Sequence, residues 1–172
     1  MSGLGFNLMA LSFRVRDFFH PRMEVLREVG IEPGFSILDY GCGSGSYIEP
    51  LVQLVGPSGK IYALDIHPLA IKKVRQMASG KGFANVKTIE SNFVTGLPDN
   101  TVDLVLLYDT FHGLAQPDDV LQEVHRVLKP RGTLSFNDHH MKEKDVLRGV
   151  TNTGLFKLTT KGKKTYRFSG IG

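Results

Sequence analysis

The chain has 172 residues, 41% of them hydrophobic, with 21 Lys and Arg against 17 Asp and Glu, 19 Gly and a single Cys, which fits one globular domain spanning residues 1–172 and argues against two. A chain this long buries roughly 70% of its extended surface, so the core needs no metal or disulfide staple, and one cysteine makes no internal bridge. The formal charge of +4 is uneven: residues 142–172 hold 8 basic and 2 acidic groups, residues 1–141 hold 13 and 15.

In chain order, residues 1–30 read as an N-terminal helical cover and residues 31–172 as the core. In the cover, Val25, Leu26 and Val29 form a stripe between Pro21 and Gly30. Its aromatics Phe6, Phe13, Phe18 and Phe19, with His20, serve equally as a lid over an apolar pocket or as core. Leu4–Phe13 is too short and polar for an export signal, and its charges Arg14 and Arg16 follow the apolar part. No run is long enough to span a bilayer. A reducing, cytoplasmic setting is the expectation.

From residue 36 the hydrophobic period alternates between short apolar runs and amphipathic stretches, which implies a doubly wound α/β fold with a parallel sheet. Ser36–Tyr40 is the first strand, followed by a glycine loop and a helix with Ile48, Leu51, Val52 and Val55 on one face. The second strand, Ile61–Asp65, leads to a helix with Pro68 at its first position and Ile71, Val74 and Ala78 inward, closed by Gly80 and Gly82. Val86–Ser91 and Asp103–Tyr108 are the third and fourth strands. Pro117 opens a helix with the stripe Val120, Leu121, Val124, Val127 and Leu128, and Lys129, Pro130 and Gly132 stop it. Gly132–Asn137 is the fifth strand. A weaker helix near Lys142–Gly149 precedes an antiparallel hairpin, Leu155–Thr160 and Lys164–Ser169 around Gly162.

The loop Asp39-Tyr40-Gly41-Cys42-Gly43-Ser44-Gly45 carries most of the chemical information. Glycines between a strand and a helix let the backbone turn sharply and let a ligand approach where a Cβ would collide. Asp65 closes the second strand 20 residues after Gly45, where a carboxylate accepts from both ribose hydroxyls. The loop reads G-x-G-x-G, with Ser46 in place of the last dinucleotide glycine, and Asp39 precedes it by two residues. A carboxylate there attracts an ammonium group and repels a pyrophosphate. An adenosyl cofactor with an amino-acid tail and a sulfonium therefore suits the site better than NAD. The plainer alternatives are that Asp39 caps a strand end and that Asp65 is the N-cap before Pro68.

With Ala63-Leu64-Asp65-Ile66, Asp103-Leu104-Val105-Leu106 and the segment Leu121–Leu134 containing Glu123, Arg126 and Lys129-Pro130-Arg131-Gly132, the chain resembles the class I S-adenosylmethionine-dependent methyltransferases. Within them it is similar to the small-molecule branch of ubiquinone and menaquinone methyltransferases. The resemblance implies a Rossmann-like seven-stranded sheet of order 3-2-1-4-5-7-6 with strand 7 antiparallel. It implies S-adenosyl-L-methionine as cofactor and a small-molecule acceptor. It also implies that Asp39 and the backbone of Gly41 and Gly43, in the loop with Cys42 and Gly45, hold the methionine part. Asp65 would then hold the ribose, and Ile66 would pack on adenine. Asn92 stands where an acid is usual; its carbonyl accepts the same hydrogen bond without charge assistance, and Phe93 offers a wall and a backbone N–H. Cys42 reads as a small buried filler rather than a nucleophile, and Arg126 as structural.

Methyl transfer needs alignment and sometimes the removal of one proton. Beyond the strand ends stand Asp109, Thr110 and His112, then Asn137, Asp138, His139 and His140. His139 or His140 is the first choice of general base and His112 the second. Their spacing with Asp109 and Asp138 matches no metal-ligand pattern, so no metal is expected. The segment Asp109-Thr110-Phe111-His112 is unlike the Asn-Pro-Pro-Tyr type that serves exocyclic amines, and one cysteine does not support thiol relay on arsenic.

Lys161, Lys163, Lys164 and Arg167, with Tyr166 and Phe168, could form a nucleic-acid surface, but lysines on an outer hairpin also block edge pairing, and the latter reading is favoured. An RNA methyltransferase and a non-catalytic S-adenosylmethionine-binding protein are the alternatives. The sequence does not specify an oligomeric state.

Overall fold

The computed structural model describes residues 22–172; the expectations placed on residues 1–21, including the aromatic lid, lie outside the described residues. Seven strands are present: β1 (Ser36–Tyr40), β2 (Lys60–Asp65), β3 (Val86–Glu90), β4 (Val102–Tyr108), β5 (Leu128–Asn137), β6 (Phe156–Lys161) and β7 (Tyr166–Gly170). They pair in the order β3-β2-β1-β4-β5-β7-β6. The first five run parallel, and β7 is antiparallel to both β5 and β6. The expected order and the orientation of the last strand are therefore found.

Among the described residues five helices cover the sheet: α1 (Arg22–Arg27), α2 (Ile48–Val55), α3 (Pro68–Lys81), α4 (Pro117–Val127) and α5 (Glu143–Thr151). Alternation along the strands assigns the faces. Ile37, Ile61, Ala63, Leu104 and Leu106 point to Val25, Leu26, Ile48, Leu51, Ile71 and Val74 of α1–α3. Leu38, Tyr40, Leu64, Val105 and Leu107 face Val120, Leu121, Val124 and Val127 of α4 and Val146 and Val150 of α5. Those four residues of α4 are at most 2% exposed, and each buried aliphatic side chain contributes about 1.5–3 kcal/mol. Dual burial explains why β1 and β4 read as near-continuous apolar runs.

Apart from shifts of one or two residues at other element ends, two helix ends and one cap differ from the sequence reading. Gly80 lies within α3, and Gly82, in the left-handed region at φ +69°, ends it by donating to Ala78 and Ser79 carbonyls. Leu128 opens β5 instead of closing the preceding helix. Pro130 has no N–H to continue the helix and favours an extended Lys129, while Asn100 and Thr101 N–H groups take up the helix-end carbonyls of Arg126 and Val127. The residue that caps α3 is His67, whose Nδ1 accepts from Leu69 N–H; Asp65 is not the cap.

Arg126 is structural, as read. It binds Glu123 and Asp99, and Glu123 also accepts from the backbone and hydroxyl of Thr95. This network fastens the segment between β3 and β4 to α4. At the other end, one carboxylate oxygen of Glu28 accepts from Lys164 N–H, Thr165 N–H and the Thr165 hydroxyl, tying the chain just after α1 to the β6–β7 turn. The basic hairpin is partly neutralised, with Lys161 paired to Glu143 and Lys164 to Glu24.

Candidate active site

Strands β1, β2 and β4 end at one edge, and their following loops enclose a cleft of about 420 Å³. This is the carboxyl end of a parallel sheet, where open α/β folds bind ligands. Asp39, Gly41, Cys42, Gly43, Asp65, Ile66, Asn92 and His112 all line it.

The loop after β1 is held from below, because Gly41 and Cys42 N–H groups both donate to the Leu64 carbonyl. Gly41 has φ +79° and its missing Cβ would strike the side chain of Thr110, so any larger residue costs both backbone strain and a clash. Gly43, at φ +53°, faces open space instead. Its N–H donates to Asp65 Oδ2 at 2.8 Å, and His67 N–H donates to Asp65 Oδ1 at 2.8 Å. Each Asp65 oxygen keeps a second lone pair for a ligand hydroxyl. The N–H groups of Gly41 and Gly43 are thus used internally, and the Gly43 carbonyl accepts from the Cys42 thiol, which leaves the uncovered Gly43 Cα to face a ligand.

Asp39 lies under the loop, 3% exposed. Its Oδ2 has no hydrogen-bond partner among the described residues, an expensive state for a buried carboxylate. Burial, then the neighbouring Asp65 charge, pushes its carboxyl up to about 7, opposed by the Arg22 guanidinium. Arg22 Nη1 donates to the Tyr47 hydroxyl at 2.9 Å, and its guanidinium carbon lies 4.6 Å from the Tyr47 ring centroid. Tyr47 also meets Tyr108 edge-on at 5.1 Å, and Tyr108 shares a 2.7 Å hydrogen bond with Ser135. Burial pushes the Cys42 thiol well up, with Asp39 and Asp65 adding to the effect, so this cysteine is a filler with little thiolate.

Ile66 is 68% exposed at the rim, an uncovered apolar side chain beside Asp65. Asn92 Oδ1 accepts from Phe93 N–H at 3.0 Å, so that N–H is not available to a ligand, and Phe93 packs on the α4–α5 core rather than lining the cleft. Gly45 also lies off the cleft, with the place of its Cβ filled by Val74, Met77 and Ile48.

After β4 and β5, two carboxylates each hold a histidine. Asp138, with a fully buried side chain, accepts from the His112 ring Nδ1 at 2.9 Å and from His112 and His140 backbone N–H groups at 3.0 and 3.1 Å. Asp109, at φ +50°, accepts from the backbone and ring Nδ1 of His139. The rings form a row, His112 to His140 at 4.3 Å and His140 to His139 at 3.8 Å. Only His112 of the three lines the cleft. Among the described residues no group of three or more His, Cys, Asp or Glu has a metal-holding arrangement.

Arg22, Tyr47 and Tyr108 were missed as cleft residues. For Tyr108 a signal existed, since it closes a strand at the ligand-binding edge; for Arg22 the sequence offers none, because its approach depends on how α1 docks.

A parallel sheet with this reversed seventh strand carries a glycine loop after β1 and acids at the ends of β1 and β2, beside a cleft where open α/β folds bind ligands. A family described as a methyltransferase domain matches residues 31–168, and the chain belongs to it. A demethylmenaquinone methyltransferase of Geobacillus stearothermophilus is 35% identical over 112 residues, 64% of this chain and 48% of that protein. A ubiquinone/menaquinone biosynthesis C-methyltransferase of Shewanella sediminis is 28% identical over 138 residues, 79% and 55% of the two chains. The chain therefore spans about half the length of these curated relatives. A SAM-dependent methyltransferase from Aquifex aeolicus superposes with a TM-score of 0.75 at 28% identity, covering 86% of this chain and 87% of that one.

Proposed function

We propose that the protein binds S-adenosyl-L-methionine in this cleft and acts as a methyltransferase on a small molecule. The observation that carries the reading is the buried Asp39 oxygen, which has no partner among the described residues and fits an ammonium group. The open face of Gly43, the spare lone pairs of Asp65 and the uncovered Ile66 fit the rest of the cofactor: Asp65 the ribose, Ile66 and Asn92 the adenine. The cofactor, when bound, supplies an electrophilic methyl on a sulfonium. The chain's own part is to fix that methyl, exclude water and align the acceptor, which is worth several kcal/mol of barrier. The names of the quinone-pathway relatives support a small-molecule acceptor.

Calorimetry with S-adenosylmethionine and S-adenosylhomocysteine tests the reading. Wild type binds both, and Asp65→Ala weakens both roughly 10–100-fold, the worth of one or two hydrogen bonds to a charged group. Absence of binding by wild type refutes it. The RNA alternative draws on the basic hairpin, whose Lys161 and Lys164 are already ion-paired; salt-dependent affinity for RNA would restore it.

A further inference from the structure

We infer that Arg22 binds a carboxylate in the cleft and forms with Asp39 a two-part receptor for a free amino-acid tail, the guanidinium taking the α-carboxylate and Asp39 the α-ammonium. This rests on the S-adenosyl-L-methionine reading above and adds the group that reads the far end of that ligand.

An α-amino acid end carries both charges on one carbon, and burying either is costly unless an opposite charge meets it. Asp39 meets only the ammonium, so by itself it would take a plain amine equally well. The second charge needs a cation beside Asp39. Arg22 lines the same cleft, and among the described residues no other Arg and no Lys does. The two groups sense each other, because the guanidinium draws the Asp39 carboxyl down against its burial. They are not joined at Oδ2, which receives no N–H from the described residues. Opposite charges placed in this way suit a zwitterion lying between them.

Arg22 is also held in orientation. Its Nη1 donates to the Tyr47 hydroxyl at 2.9 Å, and its guanidinium carbon stands 4.6 Å from the centre of the Tyr47 ring. That residue is buried, with its ring fixed edge-on against Tyr108. A planar guanidinium has several N–H donors in a rigid fork that matches both oxygens of a carboxylate, and the bond to Tyr47 does not use up the fork. Stacking on a buried ring also strips water from one face of the cation, which strengthens its pull on an anion. Lysine would keep the charge and lose both the fork and the stack.

The plainer alternative is that Arg22 only fastens α1 to Tyr47. A fastening would act on every ligand alike, through the shape of the cleft, whereas a carboxylate receptor acts only on ligands that carry one.

Calorimetry on the full chain, in mildly alkaline buffer where Asp39 is ionised, separates the two with three probes. S-adenosylhomocysteine carries both tail charges, its decarboxylated analogue carries the ammonium alone, and 5′-methylthioadenosine carries neither. Wild type should bind S-adenosylhomocysteine about 10–100-fold more tightly than the decarboxylated analogue, the worth of a charge-assisted pair. Arg22→Met should lose about that factor on S-adenosylhomocysteine and stay within about threefold on the other two. Arg22→Lys should recover part of the loss. Asp39→Asn should weaken both amine-bearing probes and spare methylthioadenosine. Equal affinity of wild type for the first two probes overturns the proposal without any variant, and so does an equal loss on all three in Arg22→Met. If wild type binds none of the three, the cofactor reading itself fails, a result distinct from binding that ignores the carboxylate.

Discussion

Asp39 makes opposing demands on stability and binding. Its carboxyl is raised to about 7 by burial, so between pH 4 and 7 the unfolded chain ionises it while the native protein keeps it protonated. Stability from this group is present below pH 4 and is lost as pH rises through 7. Asp39→Asn should flatten that fall and raise stability at pH 8, on the order of 3 kcal/mol, as read by urea unfolding across pH. The same substitution should weaken S-adenosylmethionine binding at least tenfold, and wild-type affinity should climb with pH up to about 7 as the carboxylate forms. Gly41 is the opposite case: Gly41→Ala meets Thr110 and a positive φ together, and thermal unfolding should show a loss of roughly 1–3 kcal/mol.

At the scale of elements, the segment leading from β3 to β4 is held by side chains rather than by strand pairing. Glu123 is held down to about 2, chiefly by its hydrogen bonds with Arg126, against the cost of burial. Its contribution is therefore present above pH 4.5 and lost as pH falls toward 2. Glu123→Gln should destabilise by about 1–3 kcal/mol at pH 7, and the gap from wild type should close on acidification toward pH 2, measured by calorimetry. The sequence made this arrangement only half legible. Arg126 could be read as structural, but Thr95 and Asp99 have no periodic signature linking them to it. The strands β1 and β4 were readable because burial on both faces leaves an unbroken apolar run. The start of β5 was not, because Leu128 suits either the helix stripe or the strand, and only the Pro130 backbone decides. In the cleft, Gly41, Asp39 and Asp65 announced themselves by spacing. The His112–Asp138 pair did not, since its partners are 26 residues apart and meet through the 3₁₀ turn Phe111–Gly113.

Across the whole molecule, the charge imbalance turns inward. The basic hairpin finds counter-ions on α1 and α5, so a surface that looks like a nucleic-acid platform in the sequence is in part an internal fastening. Because the proposed cofactor cleft draws on β1, β2 and β4 together, occupying it should stabilise the protein as a unit. S-adenosylhomocysteine at a hundredfold excess over its Kd should add about 2.7 kcal/mol, visible as a single upward shift in Tm. A split transition would contradict it.

The Glu28 clamp bears on the order in which the fold is made. Its partners lie 136 and 137 residues further along the chain, so the contact forms only after β6 and β7 exist and have turned back to β5. Closing so long a loop is slow and carries no local reward. Until then α1, and with it the Arg22 side chain that lines the cleft, lacks this anchor. During synthesis α1 therefore gains this last fastening only once the final two strands are in place, while Val25, Leu26 and Arg22 have partners from earlier in the chain.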